Sequence, residues 1–336
     1  MRVSRPQPAA LTVLLAVTAL TLMGCSTTGH ASSVTPTPTT TALHPQVVTQ
    51  NGARVIPDLV YSHAGGETLL LDACLPAAPK ATSTANPAPL ASVLLIHGGG
   101  WDHGDKADGG YREVCEWLAR SGYPTFSVDY RMDPAYRFPA ALDDVRSAVA
   151  WLRESAQRSR FDLDPARIAA FGGSAGGNLA SLLGTTGSGP LTAGSRVSAV
   201  VDLSGPADLT GADATPDFIP VQLAFLGCPS ERDCPAAREA SPIFSASHDD
   251  PPFFIANSTN EKIPIAQSRR LAEALRAVGV PATFTAVPGA AHSIAMLGPE
   301  LRRSILAFYA STVGANDSGS DASPGTGADP GAAGAG

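Results

Sequence analysis

The stretch "FGGSAGGNLA", residues 171–180, sets four glycines around one serine, two on each side, at the end of the apolar run "RIAAF". Glycine inside a regular element costs roughly 0.5–1 kcal/mol relative to alanine, so helix stability does not explain this density. Gly172, Ser174 and Gly176 fit G-x-S-x-G, between a strand-like run and a helix-like one. That is the context of a nucleophile elbow, where a tight turn leaves the serine exposed and side chains at its flanks would collide. A phosphate-cradling loop is the other use of such glycines. It does not fit, because no lysine follows and the G-x-G-x-x-G spacing is not met.

A second glycine cluster supports the elbow. "HGGGW", His97 to Trp101, follows the apolar run "SVLLI". Acyl transfer builds negative charge on a carbonyl oxygen, which needs backbone N–H donors pointed at it. Losing one such donor typically costs about 10²–10³ in rate. The N–H groups of Gly99, Gly100 and, from the elbow, Ala175 are the expected donors.

Around these two loops, apolar strand-like runs alternate with helical spacing. Strands are predicted at 69–75, 92–97, 124–130, 167–174, 197–205, 252–258 and 282–289, and helices at 110–122, 139–157, 265–279 and 302–311. Alternation of this kind predicts an α/β fold with a largely parallel sheet covered by helices on both faces. Residues 206–247 break the rhythm and are expected to insert over the site, with 211–227 shaping a pocket.

"HGGGW", "VDYRMDPAYRFPAALDDVRSAVAWL", "RIAAFGGSAGGNLA" and "PGAAHS" together resemble the α/β-hydrolase superfamily, in its carboxylesterase branch similar to hormone-sensitive lipase. The resemblance spans about residues 55–312. It implies an eight-stranded, mostly parallel sheet, a Ser–acid–His triad in that chain order, no cofactor, and hydrolysis of a small-molecule ester; Cys228 and Cys234, with five residues between them and no nearby histidine, give no metal site. Of the seven histidines, only His292 follows the last predicted strand, where that order places the base. The acid departs from the family pattern. Asn260 stands where the resemblance puts an aspartate, and Glu261 comes next. Glu261 is the favoured acid; Asn260 and Asp208 are the alternatives. Tyr130, Arg131 and Asp144 are expected to brace the loops, and Trp101 to pack at the pocket mouth.

The chain ends read differently from the middle. Residues 1–24 carry Arg2 and Arg5 and an apolar run too short to span a bilayer, which marks an export signal. "LMGC" resembles a lipoprotein processing site, which implies lipidation of Cys25 and anchoring on the extracytoplasmic face of the cell membrane. Residues 25–50 are expected to be a disordered Thr/Pro-rich tether, 51–313 the catalytic domain and 314–336 a disordered tail. In an oxidising compartment Cys228 and Cys234 are expected to pair, while Cys74 and Cys115 either pair or stay buried thiols. A net charge of −7 without a basic run lacks the footprint of a nucleic-acid binder. A serine carboxylesterase for short- to medium-chain esters is the expected function. The same triad also serves amidases, deformylases and peptidases, and Asn260 leaves room for a catalytically impaired binding protein.

Overall fold

A computed structural model describes residues 47–77 and 88–316. The signal segment with Cys25, the tether up to residue 46 and the tail from 317 onward lie outside the described residues. In chain order the strands are β1 (Val48–Gln50), β2 (Ala53–Ala64), β3 (Glu67–Leu75), β4 (Leu90–Ile96), β5 (Thr125–Val128), β6 (Leu163–Gly173), β7 (Ala199–Leu203), β8 (Phe253–Ser258) and β9 (Ala282–Val287). The helices are α1 (Gly109–Arg120), α2 (Ala140–Leu152), α3 (Ser155–Phe161), α4 (Ala175–Thr185), α5 (Ile219–Leu226), α6 (Ala236–Glu239), α7 (Ile265–Ala277) and α8 (Pro299–Thr312).

The strands form one sheet in the order β1-β2-β3-β5-β4-β6-β7-β8-β9. From β5 to β9 every neighbouring pair is parallel; β1, β2 and β3 add an antiparallel edge. This is the α/β-hydrolase sheet, carrying one strand more than the eight expected. Two corrections follow at the domain ends. The tether was expected to reach residue 50, but β1 pairs with β2 across Asn51-Gly52, both at positive φ. Two residues of that kind make the turn whose twist matches a hairpin. The tail was expected to start at 314, but the Asn316 amide holds Ala91 through its N–H (3.0 Å) and its carbonyl (2.8 Å) and also bonds the Gly122 carbonyl.

Continuous apolar runs become central strands because both faces are covered. In β4, Leu94 and Ile96 point into one core while Ala91, Val93 and Leu95 point into the other. α1 and α8 cover the second core; α2, α4 and α7 cover the first. Each fully buried Leu, Ile or Phe contributes roughly 1.5–3 kcal/mol. α4 is buried at every position from Ala175 to Thr185. Its last turn is closed by the Arg196 guanidinium, which donates to the carbonyls of Gly184, Thr186 and Gly187. A cation there complements the helix dipole. The helix predicted over 139–157 is two helices, broken after Leu152. Arg153 turns away to donate to the carbonyls of Pro165, Leu191 and Gly194.

Cys74 is bonded to Cys115, which ties β3 to α1, and Cys228 to Cys234. The first bridge joins residues 41 apart in sequence. Chain entropy for a loop of that length gives roughly 4 kcal/mol of stabilisation. The double variant Cys74→Ala/Cys115→Ala is therefore expected to lose about 2–4 kcal/mol in equilibrium urea unfolding, with Cys228–Cys234 intact.

Candidate active site

β6 runs straight into α4 with Ser174 as the joint, at φ 57° and ψ −123°. For a side chain other than glycine that is a strained backbone. The Ser174 N–H donates to the Leu203 carbonyl at the end of β7 (2.9 Å), and its carbonyl accepts from Asn178 (3.1 Å). The glycines answer to crowding. A Cβ on Gly176 would lie 2.1 Å from the Ile96 carbonyl oxygen, so only glycine lets α4 start this close to β4. Ser174 itself is 7% exposed.

The loop after β4 lies alongside. Gly99 has φ +116°, and a Cβ there would sit 1.9 Å from the His103 carbonyl oxygen. That carbonyl belongs to a turn closed on Gly99 by Asp102 and His103 N–H groups. The amides of Gly99, Gly100 and Ala175 donate to no acceptor among the described residues. Ala175 opens α4, where no earlier carbonyl of the helix can reach its N–H. His97 is buried against Tyr130, rings 4.3 Å apart and stacked, and Tyr130 Oη–H donates to the His97 carbonyl. Burial pushes the His97 imidazole below its usual range. Arg131, just after β5, grips Asp144 through Nε, Nη2 and its own backbone N–H, fixing that segment to α2.

Trp101 was expected at the pocket mouth. It is fully buried instead, stacked on Phe225 of α5 with ring centroids 4.2 Å apart. Val221 of the same helix approaches Gly100: its Cγ1 lies 3.1 Å from where a side chain there would begin. So the inserted segment does lie over the glycine loop.

His292 follows β9, and its Nδ1 is hydrogen-bonded to Glu261 Oε2. The next residue, Ser293, packs against the elbow: a Cβ on Gly173 would lie 2.0 Å from Ser293 Oγ. His292 Nε2 is buried with no hydrogen-bond partner among the described residues, so the second ring nitrogen is free. A long or absent serine–histidine bond is common before substrate binds. The three candidate acids are sorted by their partners. The Glu261 side chain is almost wholly buried on His292. Asn260 is exposed, and its backbone N–H extends the β8–β9 ladder to Gly289 (2.9 Å). Asp208 is turned elsewhere, accepting from Thr210 and paired with Arg270 (3.0 Å).

Asp202 was not singled out from sequence, although a carboxylate inside the apolar run "SAVVDL" is itself a signal of a buried acid. It accepts from Ser181 Oγ and Gly205 N–H, both at 2.7 Å. Burial pushes its carboxyl up to about 6, against the pull of those two bonds.

Comparisons with known proteins show which family and which esterases the chain is similar to. A family model described as BD-FAE matches residues 78–275, more than half of the chain. The chain is 35% identical to Esterase LipC of Mycobacterium tuberculosis over 226 residues, 63% of this chain and 54% of that one. It is 30% identical to Esterase LipQ of the same organism over 218 residues, 62% of this chain and 51% of that one. The chain thus spans about half the length of these curated relatives. A solved structure of a thermophilic esterase from Thermogutta terrifontis aligns with a TM-score of 0.59 at 26% identity, covering 78% of this chain and 91% of that one.

The close approach at the elbow gives a direct check. Gly176→Ala forces a Cβ onto the Ile96 carbonyl and is expected to destabilise by about 3 kcal/mol or more. Gly109→Ala, at a site with nothing within 4 Å, is expected to be neutral or slightly stabilising. Thermal and urea unfolding of the two variants separate crowding from a general intolerance of alanine.

Proposed function

The chain belongs to the BD-FAE family, and we propose that it is a serine carboxylesterase acting on short- to medium-chain esters. The observation that carries this reading is the Glu261–His292 pair, with a free Nε2, on a loop packed against the Ser174 elbow. The named esterases among its relatives support the same class.

In the proposed mechanism Ser174 Oγ attacks the ester carbonyl carbon while His292 Nε2 takes its proton. The carbonyl oxygen gains the negative charge and is held by the amides of Gly99, Gly100 and Ala175. Their freedom from protein acceptors suits them to that task. Collapse breaks the bond to the alcohol, which leaves with the proton from His292. Water, deprotonated by the same nitrogen, then attacks the acyl–serine and releases the acid. Glu261 holds the ring by Nδ1 and stabilises the imidazolium that forms. Glutamate fills the role because the Asn260 backbone is tied to the ladder with β9 and its side chain stands in solvent, so the following residue turns inward.

Hydrolysis of p-nitrophenyl acetate and butyrate tests the reading. Ser174→Ala is expected to abolish turnover, and Glu261→Gln to lower kcat by about 10³–10⁴. Asn260→Ala is expected to match the parent. Unchanged turnover in Glu261→Gln removes that residue from the mechanism. Faster cleavage of the matching anilides than of the esters moves the reaction class to an amidase.

The same proposal places the enzyme outside the cytoplasmic membrane, anchored by lipid on Cys25. Its support is the sequence "LMGC" behind a short apolar segment. Cys25→Ser is expected to shift the expressed protein from the detergent to the aqueous phase in Triton X-114 partitioning. Detergent-phase recovery of that variant overturns the anchor.

A further inference from the structure

We infer that Tyr111 and Ser204 are positioning residues that set the separation between Ser174 and His292, acting through Ser293. This inference rests on the reading of Ser174 as nucleophile and His292 as base.

Nucleophile and base come from distant parts of the chain, and the sheet alone does not fix their distance. Ser174 follows β6, whereas His292 lies beyond β9, three strands away in the sheet. What joins them is a set of buried hydrogen bonds from the mechanism's bystanders. The Ser293 N–H donates to Ser204 Oγ at 3.2 Å. Ser204 follows directly on Leu203, the residue whose carbonyl receives the Ser174 N–H. Ser204 is in turn fixed to β8 by its own N–H, which donates to the Ala256 carbonyl at 2.9 Å. The backbones of the serine and of the histidine loop are therefore referred to two consecutive residues at the end of β7. On the far side of the base, Ser258 Oγ–H donates to the Ala291 carbonyl, so both neighbours of His292 are held.

Tyr111 closes the set from α1. Its hydroxyl donates to the Gly173 carbonyl at 3.2 Å and stands 3.4 Å from Ser293 Oγ. With its one proton committed to Gly173, the phenol oxygen accepts from the Ser293 hydroxyl. The residue before the nucleophile and the residue after the base are thus bridged by one phenol. Tyr111 OH also lies 2.9 Å from where a Cβ on Gly98 would sit, beside Ser174 Cβ at 3.1 Å, so the phenol sits next to the Ser174 side chain. Burial pushes the phenol up to about 12, and the hydroxyl keeps its proton over the working pH range. Ile294 adds packing, its Cδ1 lying 2.8 Å from a Cβ placed on Gly110 at the start of α1. Ser204 and Ser293 both take positive φ, 58° and 57°. Two strained serines facing each other across one bond are what a site holding a preset distance requires.

A misplacement of about 1 Å can cost about 10²-fold in rate, so a slackened bridge has a kinetic signature separate from stability. Tyr111→Phe, which removes only the hydroxyl, and Ser204→Ala are each expected to lower kcat roughly tenfold with KM unchanged, the pattern of an interaction felt in the transition state alone. The rate of Ser174 labelling by a fluorophosphonate probe, which needs no ester turnover, is expected to fall in parallel. The Tyr111→Phe/Ser293→Ala pair is expected to be no worse than Tyr111→Phe alone, because loss of the phenol already removes its bond to Ser293. Tyr123→Phe is the control: it removes another tyrosine hydroxyl, bonded to the Gly314 carbonyl away from the site, and is expected to leave labelling unchanged. Parent-like kcat and labelling in Tyr111→Phe and Ser204→Ala overturn the positioning role while leaving the esterase reading intact. A parent protein that shows no Ser174-dependent labelling overturns both.

Discussion

Everything at the site depends on one strained residue, Ser174 at φ 57°. Holding a non-glycine residue there costs about 1–3 kcal/mol, and the neighbours leave it no alternative. β6 is paired on both sides, with β4 and β7. α4 is buried along its whole length and cannot rotate to relax the joint. Arg196 anchors the far end of that helix on three carbonyls. The strain is thus set against a helix whose burial is worth far more. The same geometry that strains Ser174 exposes the first amide of α4, and the glycine loop after β4 brings two more free amides beside it.

Glu261 and His292 are held more locally, on loops after β8 and β9. Because parallel strands present their carboxyl ends at one edge of the sheet, loops from β4, β6, β8 and β9 meet there without any long excursion. Asn260 and Glu261 differ in where the hydrogen bonds running on from β8 stop. The ladder between β8 and β9 continues one step past the strands, through Thr259 N–H to Val287 and Asn260 N–H to Gly289. Thr259 and Asn260, held by these bonds, are exposed, whereas the Glu261 side chain is buried on His292. Glutamate, one bond longer than aspartate, reaches from the later position.

Much of this was legible in the sequence, and the failures have physical causes. The elbow, the glycine loop and the central strands were readable because strands buried on both faces must be apolar throughout. β2 was missed because Pro57 and two irregularities in its pairing with β3 break the alternation. Its two hairpin turns, Asn51-Gly52 and Gly65-Gly66, were signals left unused. The break between α2 and α3 has no glycine or proline to mark it. Tertiary bonds from Arg153 end the helix, and a local pattern cannot carry them. Ordering through Asn316 likewise comes from a single amide filling the backbone pair of Ala91, inside a segment whose composition reads as disordered. Which of three acids meets His292 was open for the same reason: it depends on where a strand pairing stops.

The parts of the site also differ in what fixes them. The BD-FAE match over 78–275 spans Gly99, Gly100, Ser174, Ala175 and Glu261 but stops short of His292. Those five residues hang on the sheet or on turns directly at its edge. α5 does not. It belongs to no strand connection of minimal length, and it reaches the site only by stacking Phe225 on Trp101 and laying Val221 over Gly100. Those residues are held by the rigid frame, while the surface over the glycine loop is carried by an inserted segment closed off by the Cys228–Cys234 bond. Changes in α5 can therefore reshape what fits over the glycine loop without disturbing the strained serine below.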